Sequence, residues 1–165
     1  MFPILAEPNI VALLVRTLLA IICAGIIGYD RNIHGAPAGL RTHILVCIGA
    51  MIVMSTGQFA AMHYTTDVSR LGAQVVSGIG FLGAGSIIVN KRGITGLTTA
   101  ACLWASACIG LAIGIGFYEG AVIGTAGVYF TERALRRFSK SITGKNSTSG
   151  EVMIPDDDVI KSDIQ

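Results

Sequence analysis

Five apolar blocks, near residues 10–29, 43–62, 72–89, 97–115 and 118–134, take up most of a chain of 165 residues, and they constrain its fold more than any other feature. About twenty apolar residues in an α-helix cover the roughly 30 Å of a bilayer's hydrocarbon, where each backbone N–H and C=O must find its partner within the protein. The stretch 97–134 is too long for one crossing and suits two, with Phe117, Tyr118, Glu119 and Gly120 as a modest break. Only 13% of the residues are charged, against roughly 25% in an ordinary soluble domain. The expected fold is all-α: a polytopic transmembrane helical bundle of about five spans over residues 1–138, followed by a disordered cytoplasmic tail over 139–165. The first block reads as a retained span and not a cleaved signal, because Met1 to Asn9 carry only Glu7 as a charge and the apolar run continues past Arg16 to Tyr29.

The basic residues sort by side. Cytoplasmic loops carry the excess of Lys and Arg. Arg31 and Arg41 lie between the first two blocks, Lys91 and Arg92 between the third and fourth, and Arg133, Arg136, Arg137, Lys140, Lys145 and Lys161 follow the fifth. The alternate side holds Arg70 as its only base, with Glu7, Asp67 and Glu119. This pattern predicts an N-terminus outside and a C-terminus in the cytoplasm. It leaves Arg16 as the one base within a span.

Arg16 lies roughly 10 Å inside the outer end of the first span at 1.5 Å per residue. Two readings follow: the guanidinium snorkels to the interface, or it forms an ion pair inside the bundle. At 100° per residue, Arg16, Ala20, Cys23, Ile27 and Asp30 share a narrow arc, so one helix face runs from a base to an acid past small side chains. Asp67 or Glu119 are the expected partners of Arg16, leaving Asp30 to Arg31, Arg41 or a cation. Asp30 and Asp67 are also the candidate metal contacts, because magnesium keeps most of its waters and needs only one or two carboxylates.

Glycine is the next signal, at 21 residues. The third span contains Gly78-Ile79-Gly80-Phe81-Leu82-Gly83, but a dinucleotide fingerprint needs a preceding strand, a following helix and a downstream acid, which are missing. In a membrane helix small residues let backbones approach. Ala73, Ser77, Gly80 and Ala84 form one such stripe, Gln74, Gly78 and Gly85 its neighbour, and Gly83–Gly85 is also where a broken or re-entrant segment would turn. Gly116, Gly120 and Gly124 continue the spacing after Gly110 and Gly114, and such surfaces suit packing within the chain or a homodimer or larger homo-oligomer. In the fourth span Thr99, Ser106, Gly110 and Gly114 share a face.

Other chemistry is not supported. Cys23, Cys47, Cys102 and Cys108 fall within spans without C-x-x-C spacing, and His34, His43 and His63 have no metal-ligand spacing. With no nucleophile constellation, phosphate loop or basic stripe interleaved with aromatics, neither an enzyme nor a nucleic-acid binder is expected, and no cofactor beyond transient Mg²⁺. The acidic run Asp156-Asp157-Asp158 reads as a solvated tail.

Three ordered motifs add a resemblance. Asp30-Arg31-Asn32 through Ala38-Gly39-Leu40-Arg41-Thr42-His43, then Ser77 to Gly85, then Gly93-Ile94-Thr95-Gly96-Leu97-Thr98-Thr99-Ala100-Ala101 with Leu103-Trp104, resemble the N-terminal membrane domain of the MgtC/SapB family over about 10–130. The resemblance implies a multi-pass protein of the bacterial inner membrane, linked to growth in low magnesium, to virulence in some pathogens and to modulation of membrane ATPases, with direct magnesium transport as the alternative. Its matching positions are the Asp30–Arg31 pair, where the family often has Glu-Arg, the Ala38–Thr42 turn with His43, the outer Asp67 and Arg70, and Thr98–Thr99 before the double alanine. Thr98, where some members have Asn, and Ala105, where some have Cys, depart from the pattern. The longer members' cytosolic domain is expected to be missing here.

Overall fold

The computed structural model describes residues 9–90 and 93–146. It is all-α apart from one small hairpin: α1 Ile10–Ile33, α2 Leu40–His63, α3 Ser69–Gly85, β1 Ile88–Asn90, β2 Gly93–Thr95, α4 Leu97–Ile115 and α5 Tyr118–Asn146. The five helices agree with the sequence. α1, α2 and α4 are long and apolar enough to cross a membrane. α3, with 17 residues, reaches about 25 Å, the short limit for a crossing.

Asn9 starts α1, its side chain accepting from the Ala12 N–H at 2.8 Å. The loop after α1 returns the chain at once, and Gly28 makes the return tight: a Cβ there would lie 2.7 Å from the Leu40 Cα. α2 and α4 form the central pair, with α1 packed on both and α3 on their other side. Gly110 of α4 sits against the Cys47 carbonyl and Ala50, and Gly114 against Met51 and Met54. The two numberings rise together, so α2 and α4 run in the same direction. Between them and α1 lies an apolar layer of Ala20, Cys23, Ala24, Cys47, Met51, Ile109 and Ile113, joined by Ala121 of α5. None of the four cysteines is in a disulfide.

Three sequence expectations shift. The third span ends at Gly85, earlier than 89, and Ile88–Asn90 pairs antiparallel with Gly93–Thr95. Val89 and Ile94 are β-branched and follow a helix end closed by Ser86, whose hydroxyl donates to the Gly83 carbonyl at 2.7 Å. Gly116 has a capping role. It ends α4 in the left-handed conformation at φ 89°, its N–H bonding the Ala112 and Ile113 carbonyls. The atoms nearest to a Cβ at Gly120 are those of its near neighbour Phe117's ring, and Cβ atoms at Gly78, Gly80 or Gly85 would meet nothing within 4 Å. Of the eight residues proposed for packing, Gly83 against Ala100 and Gly124 against Ile109 are in contact with another helix, and Ser77 is exposed.

The chain divides into a compact unit, Met1–Thr131, and a second unit that begins at Glu132 within α5. α5 remains helical through Asn146, so residues 139–146, placed in the tail by sequence, are its last turns. The acidic run at 156–158 lies outside the described residues.

Candidate functional site: two buried polar clusters

The α1 face proposed from 100° spacing points inward along its whole length: Arg16, Ala20, Cys23, Ile27 and Asp30 are all buried. Arg16 is 0% exposed and turns into the bundle, not toward the interface. Its Nη1 donates to the Gly114 carbonyl at 2.8 Å, to Gln58 Oε1 at 2.9 Å and to Ser55 Oγ at 3.3 Å, and its Nε to the Tyr118 hydroxyl at 3.2 Å. One side chain thus ties α1 to α2, α4 and α5.

The charge tolerates this depth because of what it meets. Gly114 lies in the last turn of α4, whose carbonyls have no partner further along the helix and carry the negative end of its dipole. The Gly116 cap takes the Ala112 and Ile113 carbonyls, and Arg16 with Ser55, which donates at 3.1 Å, takes that of Gly114.

Neither acid proposed for Arg16 is bonded to it. Asp67 is exposed in the α2–α3 loop and accepts from the Ser69 N–H and hydroxyl, each at 2.8 Å. Those two hydrogen bonds, with the charge of Arg70 adding a smaller part, hold its carboxyl below the usual carboxylate range. Glu119 is exposed in the first turn of α5.

The second cluster lies at the opposite end of α1. Asp30 and Arg31 are buried, and Arg31 Nη2 donates to Thr99 Oγ1 at 2.7 Å in the first turn of α4. His43, fully buried at the start of α2, has Nδ1 3.5 Å from Ser106 Oγ, while its Nε2 has no hydrogen-bond partner among the described residues. His34 Nδ1 lies 2.6 Å from the Asp30 carbonyl oxygen and 3.7 Å from Oδ2.

The sequence candidates therefore divide. Asp30, Arg31, His43 and Thr99 come together at one end; Arg16 stands at the other. Arg41, Thr42, Arg70, Gln74 and Thr98 are exposed. Asp30 and Asp67 precede and follow α2, whose 24 residues span about 36 Å, so they share no site. Among the described residues no three His, Cys, Asp or Glu side chains group to hold a metal. The partners missed by sequence reasoning are Ser55, Gln58, Tyr118 and the Gly114 carbonyl. Ser55 and Gln58, three apart and so on one face of α2, carried a signal; a backbone carbonyl carries none.

Residues 17–141 match the model of the MgtC family. The chain is 38% identical over 139 residues to the Escherichia coli K12 protein named "Putative magnesium transporter YhiD", covering 81% of this chain and 65% of that one. It is 42% identical over 129 residues to an uncharacterized protein of Haemophilus influenzae, covering 73% and 54%, and 39% identical over 119 residues to the "Protein MgtC" of Brucella abortus, covering 71% and 48%. The chain thus spans between about half and two thirds of these relatives. No solved structure matches it.

Proposed function

Since the chain belongs to the MgtC family, we propose that it is a magnesium-linked protein of the bacterial inner membrane that acts by helix contacts, with a second copy or with a membrane ATPase, and does not conduct the ion. The name of the Escherichia coli relative supports magnesium as the ion. The observation that carries the regulatory reading is the apolar layer between the two polar clusters. Ser106 and Gly114, which mark the clusters on α4, are eight positions apart, about 12 Å, and Cys47, Met51, Ile109 and Ile113 fill that interval. The two helices cross there at backbone contact, leaving no width for a hydrated divalent ion.

A surface suited to docking is the outward side of α3. Gln74, Ser77, Gly78, Ala84 and Gly85 are exposed there, small or polar, around the projecting Phe81 ring and Leu82, whereas the outward side of α1 carries Val11, Leu14, Leu18 and Ile22. The charge pattern supports an N-terminus outside and a C-terminus in the cytoplasm. The second reading, a small oligomeric transporter, has Gln74 and Ser77 in its favour, as they would line a path between copies.

Purified protein in liposomes holding a magnesium-sensitive dye should show no flux above empty liposomes, while the same gene should restore low-magnesium growth to a strain lacking its own copy. Flux that disappears in Asp30→Asn would overturn the regulatory reading.

A further inference from the structure

We propose that the β1–β2 hairpin is an interfacial membrane anchor, with its Val89–Ile94 face set in the boundary between lipid headgroups and acyl chains. The strands are three residues each, and among the described residues their substantial contacts are with each other alone. A two-stranded ribbon this short is marginal in water without a third strand or a helix against it. Something outside the ribbon therefore supports it.

The side chains say what. In the register Val89↔Ile94, these two residues lie opposite each other on one face, exposed at 73% and 58%, while Ile88 pairs with Thr95 on the other face and Leu97, more than half exposed, opens α4. Two large β-branched side chains on one face of so short a ribbon, outside both core clusters and followed by the exposed Leu97, require an apolar surround on that face. The backbone sets the depth. Both edges of a two-stranded ribbon present unpaired N–H and C=O groups, which hydrocarbon does not tolerate. Only the interface satisfies both demands, with apolar side chains directed toward the acyl chains and the open edges toward headgroups and water.

The position agrees. The hairpin joins the end of α3 to the start of α4, where the helix ends meet the membrane surface, and it continues the exposed apolar surface of Phe81 and Leu82. Its base is fixed: a Cβ at Gly96, at φ 89°, would run into the Ser86 carbonyl, so the ribbon leaves the helices in a set direction. The partner is thus the lipid surface, and the anchor sets the depth of the α3–α4 pair. This inference does not depend on whether the protein regulates or transports.

Trp104 is the only tryptophan, so Trp104→Phe gives a silent background for single reporters. In that background Ile94→Trp and Thr95→Trp, both at exposed positions, are reconstituted as the full chain in vesicles whose lipids carry bromine near the top or near the end of the acyl chains. Ile94→Trp should emit to the blue of a water-exposed indole and lose more intensity to the shallow bromines than to the deep ones. Thr95→Trp, on the opposite face, should be the more sensitive to aqueous acrylamide. Full acrylamide quenching of both with no loss to bromine would place the hairpin in water and overturn the proposal. Protection of Ile94→Trp from bromine and acrylamide alike would mean that a second copy or another protein covers it, with the same consequence.

Discussion

Gly114→Ala is the smallest change that strikes both the helix crossing and the Arg16 cluster. The added Cβ would lie 2.5 Å from the Met51 carbonyl oxygen, 2.6 Å from the Met54 Cβ and 3.2 Å from the Met51 Cα. Two of these atoms are backbone, so α2 and α4 must separate, and overpacking of this kind costs about 1–3 kcal/mol. The separation also moves the Gly114 carbonyl, which accepts from Arg16 at 2.8 Å and from Ser55 at 3.1 Å. Weakening hydrogen bonds inside a membrane bundle adds about 1 kcal/mol. The sum, about 2–4 kcal/mol, corresponds to a rise of roughly 30- to 700-fold in the unfolding constant at 1.4 kcal/mol per tenfold. Reversible unfolding in bicelles, followed through Trp104, measures it. Gly80→Ala is the matched control, since nothing lies within 4 Å of its Cβ and the helix gains the better former. Equal stability of Gly114→Ala and the parent chain, or an equal loss in Gly80→Ala, would refute the reasoning.

Other outcomes follow from the same geometry. Arg16→Ala and Asp67→Ala should add within about 0.5 kcal/mol, because the residues share no bond, whereas Arg16→Ala and Ser55→Ala should depart from additivity by about 1 kcal/mol; reversed couplings in the same unfolding assay would restore an Arg16–Asp67 pair. Ser69→Ala should raise the Asp67 pKa, read by carbon NMR of the carboxyl, since a donor to the carboxylate is lost; an unmoved titration contradicts this. The sign is that of a depressed acid: its stabilising contribution is present at neutral pH and disappears as pH falls through the folded-state pKa. Asp30→Asn should insert at normal abundance yet fail to support growth at low magnesium, with Asp30→Glu retaining much of it; full activity of Asp30→Asn removes Asp30 from the site.

Periodicity made one side of the bundle legible. The arc from Arg16 to Asp30 is inward because burying two ionisable groups on one helix is tolerable only where partners stand, and all five of its residues are buried. The partners were less legible. Charge arithmetic directs a base to an acid, but the partners of Arg16 on α2, α4 and α5 include a carbonyl, an amide and two hydroxyls, and the carbonyl depends on where α4 ends. Glycine spacing marked candidate stripes without saying which faced a helix: Gly110 and Gly114 meet backbone, while Gly78 and Gly85 meet open surface. The apolar run through Val89 concealed a change of period from helix to strand, because neither its length nor its polarity changes at Gly85.

One consequence joins the two clusters. α4 accepts Arg31 at Thr99 in its first turn and Arg16 at Gly114 in its last, and both donors belong to α1. Sliding α4 along its axis by one residue, about 1.5 Å, would break both contacts together. The Gly110 and Gly114 crossings on α2 resist that slide, as each puts backbone against backbone. α3 packs on α4 and α2, so in the regulatory reading a partner seated on its outward face acts on the helix that sets both arginines. Coupling between the ends then needs no polar path through the apolar layer, only the rigidity of α4.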